Sequence, residues 1–63
     1  MQEKVRAVKL TYSVPEAAEA LGVSTTKMYQ LIKMDGFPVV ALGKRRLISI
    51  EGLRRWVEKQ AGI

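Results

Sequence analysis

A mainly α fold carrying one small antiparallel β-hairpin is what this sequence predicts, on three observations. First, three stretches repeat apolar residues at helical spacing, and a serine opens each: Val14, Ala17, Ala18 and Leu21 after Ser13; Met28, Leu31 and Ile32 after Ser24; Ile50, Leu53, Trp56 and Val57 after Ser49. Second, β-prone runs at 39–42 and 46–48 flank Gly43, Lys44 and Arg45. Third, 63 residues leave room for one core and no second domain. Without cysteine or histidine, that core has no disulfide or metal staple and must be stabilised by packing alone.

Residues 1–9 mix Lys4, Arg6 and Lys9 with Val5, Ala7 and Val8, and are expected to form a flexible basic arm. A short β-prone run at 10–12 leads to Ser13, whose hydroxyl can cap a helix while Glu16, three residues on, reaches back to it. Pro15 falls in the first turn, where its missing N–H is no loss, so helix one should span 14–21. Gly22 can take the left-handed conformation that ends this helix, and Val23 returns the chain to the core. Ser24 then opens a second helix, expected at 25–34 before Gly36 and Pro38 stop it. With Ala17 and Ala18 permitting close approach, helices joined by so short a turn must cross steeply. Next comes the hairpin: Gly43 makes the turn, Lys44, Arg45 and Arg46 form the expected tip, and Val40, Leu42 and Ile48 are expected to face inward. Gly52 weakens the final helix somewhat. Strand, helix, turn, helix, hairpin, helix describes a minimal winged helix-turn-helix. We place this domain at 10–60 and a tail at 61–63. The expected core is Leu10, Val14, Ala18, Leu21, Val23, Met28, Leu31, Ile32, Val40, Leu42, Ile48, Leu53, Trp56 and Val57, with Phe37 read as packing against it.

The residue inventory argues against several kinds of function. Lacking His and Cys, the chain has no imidazole or thiolate ligand for zinc, iron or copper, and no cofactor is expected. Glu16 and Glu19 sit one turn apart on an exposed helix end, where capping and a favourable helix dipole outweigh acid–base chemistry. Ser13, Ser24 and Ser49 have no histidine partner, and each begins a helix, so none is read as a nucleophile. No catalytic residue and no enzyme is therefore expected. No apolar run approaches the roughly 20 residues that span a bilayer, so no membrane partner is expected and the chain reads as cytoplasmic.

Eleven Lys and Arg against six Asp and Glu give a net charge of +5, which points to a polyanionic partner. The outer face of the second helix is polar and free of acid. Thr26 and Gln30 suit base edges in a major groove, because a Gln amide can pair bidentately with adenine and a Thr methyl can touch thymine. Thr25 could add a base or phosphate contact. Lys27, Lys33 and the Tyr29 hydroxyl suit phosphates, which position the helix without reading sequence. Three consecutive cations at the hairpin, Lys44, Arg45 and Arg46, repel one another and gain little from folding, yet match adjacent phosphates or a narrow minor groove. Arg54 and Arg55 fit flanking phosphate contacts and a solvated helix face equally well.

Tyr12 to Ala18, then Leu21-Gly22-Val23-Ser24, Met28 to Ile32, Phe37-Pro38, Gly43-Lys44-Arg45 and Ile48 together resemble the MerR-like excisionase group, small winged helix-turn-helix proteins that include AlpA-type phage and prophage regulators. The resemblance covers about residues 10–58. It implies that Ser24, Thr25, Thr26, Lys27, Tyr29, Gln30 and Lys33 belong to a major-groove helix and Lys44 to Arg46 to the wing. Thr25 and Gln30 stand where the family often has Arg, and Leu47 where a polar or basic wing residue is common, so this helix is less cationic than the family norm. The expected function is sequence-specific binding of double-stranded DNA without catalysis, as an excisionase of a phage or integrative element located with the nucleoid. Several copies on adjacent sites, a head-to-tail contact, DNA bending and a tyrosine integrase partner are part of that expectation. The alternatives are a prophage or mobile-element transcriptional regulator and a protein-interaction module.

Overall fold

Each helix begins where a serine hydroxyl accepts a hydrogen bond from the backbone of the first turn. The computed structural model describes residues 9–62. Their order is β1 (Thr11–Tyr12), α1 (Val14–Leu21), α2 (Thr25–Leu31), β2 (Val39–Leu42), β3 (Arg45–Ser49) and α3 (Ile50–Gln60). Residues 1–8, nearly all of the expected arm, lie outside the described residues, as does Ile63 of the expected tail.

At α1 the capping box is complete: the Glu16 N–H donates to Ser13 Oγ at 3.3 Å, and the Ser13 N–H donates to Glu16 Oε1 at 2.8 Å. Gly22, at φ 76°, ends the helix in the left-handed region, where its N–H reaches the Glu19 carbonyl at 3.1 Å and the Val23 N–H reaches that of Ala18 at 2.9 Å. Ser24 and Ser49 cap α2 and α3 through the N–H groups of Lys27 (3.0 Å) and Gly52 (2.9 Å).

The second helix is shorter than its spacing predicts. After Leu31 the bonds tighten: the Lys33 N–H donates to Gln30 at 3.3 Å and the Met34 N–H to Leu31 at 3.0 Å, both three residues back. This tighter turn accompanies the return of Phe37 to the core, 7% exposed, where its ring meets Trp56 edge-on at 5.0 Å.

The three strands form one antiparallel sheet in the order β1-β3-β2. Leu42 pairs with Arg45, so the turn is Gly43 and Lys44 only, with Gly43 at φ 61°. A positive φ at the first of two turn residues matches the right-handed twist of the strands it joins. Arg45 and Arg46 are therefore strand residues, and the expected three-cation tip is corrected to Lys44 alone.

Register also corrects the inward set. Ile48 is fully buried, and its partner across the ladder is Val39; Leu47, one residue back, pairs with Val40, and Arg45 with Leu42. Side chains alternate faces along a strand, so Val39 lies on the core side while Val40 and Leu42 lie on the outer side.

The core comprises Val14, Ala17, Ala18, Met28, Phe37, Ile48 and Leu53, with Tyr12, Leu21, Val23, Leu31, Ile32, Val39 and Trp56 packed against it. Leu10, Leu42 and Val57, expected inside, are 73%, 57% and 40% exposed. Leu10 precedes the two-residue β1, and Val57 sits at the edge of the α3 stripe, so neither has a facing layer among the described residues.

Candidate nucleic-acid interface

α1 packs against both α2 and β3, and α3 packs against β3, so the second helix and the hairpin are held by one scaffold. Ala17, fully buried, and Ala18, 3% exposed, let the two helices approach, and Met28 is the α2 side chain driven completely into the core. With Met28 inward and Leu31 and Ile32 half-buried, the remaining α2 positions must face solvent.

That solvent face holds the expected residues. Ser24, Thr25, Thr26, Lys27, Tyr29, Gln30 and Lys33 are all exposed, and α2 carries no acid. The Ser24 oxygen is already used as the cap, which leaves its O–H for a phosphate oxygen. Lys33 lies beyond the last residue of α2 on the tightened turn, so its direction is set by that turn and not by the helical period.

In the hairpin the structure separates what the sequence places together. Arg46 pairs with Ala41 and shares the face of Ile48; Arg45 pairs with Leu42 and shares the face of Leu47. The two arginines are both exposed but point to opposite sides of the sheet, while Lys44 occupies the turn. Counting back by twos from Ile48, the one of the three expected inward strand residues that is buried, gives this division once the turn is limited to two residues.

Arg54 and Arg55 are not equivalent. The Arg55 Nε lies 3.4 Å from Glu51 Oε2, an exposed pair at helical i,i+4 spacing. Arg54 borders an open apolar groove of about 270 Å³ lined by Tyr12, Leu21, Ile50, Leu53 and Val57.

At the other end of the domain Lys9 pairs with Glu16, so the last residue of the expected arm is tied to the start of α1. This hydrogen bond, with the one from the Ser13 N–H, lowers the Glu16 carboxyl to about 2 from its usual 4.5. Glu16 therefore stays ionised as a cap and is a poor candidate for proton transfer at neutral pH.

The model of the family described as helix-turn-helix domain matches residues 11–61. The chain belongs to that family. This helix-turn-helix protein is accordingly a sequence-specific DNA-binding protein, with α2 as the second helix of the motif. Neither a curated protein nor a solved structure matches it. Among the described residues no helix is long and apolar enough to cross a membrane.

Proposed function

We propose that this helix-turn-helix protein is an excisionase of a phage or integrative element: a non-catalytic, nucleoid-associated protein that binds adjacent sites as several copies and bends the DNA for a tyrosine integrase. The observation that carries the reading is the exposed, acid-free face of α2, Thr25 to Lys27 with Tyr29 and Gln30, mounted on the same small core as a cationic hairpin. Gln30 and Thr26 read base edges, Lys27 and the Tyr29 hydroxyl hold phosphates, and Lys44 leads the wing toward the neighbouring groove.

The excisionase assignment is supported by the residue resemblance and by scale. One helix of seven residues and a two-residue turn touch few base pairs, so discrimination of one site in a genome calls for several copies side by side. An excision assay with the cognate integrase, set beside a promoter reporter, tests it. Excision that depends on this protein supports the reading; reporter control without excision replaces it with a transcriptional regulator using the same surface. Reversing charge at Arg45 and Arg46 together should abolish DNA binding, and undiminished affinity would favour a protein-docking role for the basic face.

A further inference from the structure

The sheet has an open edge at β2, since β2 is the last strand in the order and no described strand lies beyond it. Register identifies its free backbone groups. Leu42 pairs with Arg45 across the two-residue turn, and the Ser49 N–H donates to the Pro38 carbonyl at 3.0 Å, so Pro38, Val40 and Leu42 direct their backbone groups at β3. Val39 and Ala41 direct theirs outward. The Val39 N–H is already bonded to the Phe37 carbonyl at 2.8 Å. Among the described residues the edge thus presents one donor, the Ala41 N–H, and two acceptors, the carbonyls of Val39 and Ala41. Val39–Leu42 contains neither a charge nor a proline, the usual devices that blunt an edge against pairing. The side chains of Val40, Leu42 and Leu47 line the outer face beside it, with Leu42 57% exposed.

We infer that a second copy of this chain pairs with this edge, β2 against β2, antiparallel about a two-fold axis at Val40. In that register the Ala41 N–H of each copy donates to the Val39 carbonyl of the other, so the free donor and the free acceptor are self-complementary. Each wing tip stands roughly 12 Å from the axis at about 3.4 Å per residue, and the two wings point in opposite directions. Such a contact closes after two copies, so a longer array on DNA uses a different surface. Its area is small beside the roughly 1,000 Å² of a stable assembly, so the pair is weak in solution and forms when copies are held close. It supplies a surface for one pair of copies, distinct from any array on DNA, and rests on no DNA contact.

Because the chain has no cysteine, a single introduced thiol can report the pairing. Directly opposed residues that exchange no hydrogen bonds have Cα atoms about 4.5 Å apart, within the span of a disulfide. In the full chain without DNA, under mild oxidant, Val40→Cys should form a linked dimer at least about tenfold faster than Leu42→Cys, although Leu42 is the more exposed. Adding Ala41→Pro, whose nitrogen faces away from β3, should leave the circular dichroism unchanged and return Val40→Cys to the slower rate. Equal rates for Val40→Cys and Leu42→Cys, or faster linkage through Ala41→Cys, would overturn the inference. Sedimentation equilibrium at near-millimolar protein gives a thiol-free check: dimer in the unaltered chain and not in Ala41→Pro supports the pairing, and monomer in both overturns it. Gel shifts on a single DNA site with the same variants keep the readings apart, because unchanged affinity without linkage sinks only the pairing.

Discussion

Ser13, Ser24 and Ser49 show how much one hydroxyl does in a chain this short: each accepts from a backbone N–H that helix geometry leaves unpaired, and each sets where a helix starts. All three were legible in the sequence because capping is local. Gly52 was not. Its residue type suggests a mild helix weakness, yet a Cβ placed there would lie 2.7 Å from Pro38 Cβ and 3.1 Å from Ser49 Oγ. Gly52→Ala should therefore destabilise the domain: overpacking costs about 1–3 kcal/mol, against about 1 kcal/mol of helix propensity gained. Thermal denaturation would show this as a lower Tm, and a rise would mean that Pro38 yields freely. Glu16 makes a second residue-level prediction. Lys9 and the Ser13 N–H hold its folded pKa near 2 against an ordinary 4.5, so its contribution is fully present above pH 4.5 and fades as pH falls towards 2. Melting curves across that window should fall more steeply for the unaltered protein than for Glu16→Gln.

Among the elements, the hairpin departs furthest from its sequence reading. Lys44, Arg45 and Arg46 are contiguous in sequence, but the two-residue turn closes on Leu42 and Arg45 and sends consecutive arginines to opposite faces. A hairpin laid against a duplex by one face should lose affinity through one arginine. Arg45→Ala and Arg46→Ala are therefore expected to differ in gel shifts, with one near the unaltered value and the other weaker and less dependent on salt. Equal losses would place DNA across the hairpin tip instead. The exposed face of α2 was legible, because Met28, Leu31 and Ile32 define its buried side and the remainder follows from the period. Its end was not, since the tightening after Leu31 is set by Phe37 returning to the core, a contact distant from the helix itself.

For the whole molecule, the fully buried side chains Met28 and Ile48 bring α2 and the wing strand β3 into the same core cluster. Total stability for a domain this size is on the order of 5 kcal/mol, and a buried Met→Ala change removes about 2–5. Met28→Ala should leave much of the chain unfolded by circular dichroism and abolish DNA binding, although Met28 faces away from solvent. Retained helicity with lost binding would instead assign Met28 a role at the interface. The sequence by itself determined the helix starts, the left-handed Gly22, the hairpin, the polar face of α2 and the excess of positive charge, all of which follow from neighbours within a turn or a strand. Tertiary structure decided where α2 ends, why residue 52 lacks a side chain, which strand residues face inward, and that Arg45 and Arg46 part company. Those outcomes depend on register and on contacts between residues far apart in the chain, and with a period of two a shift of one residue exchanges inside for outside.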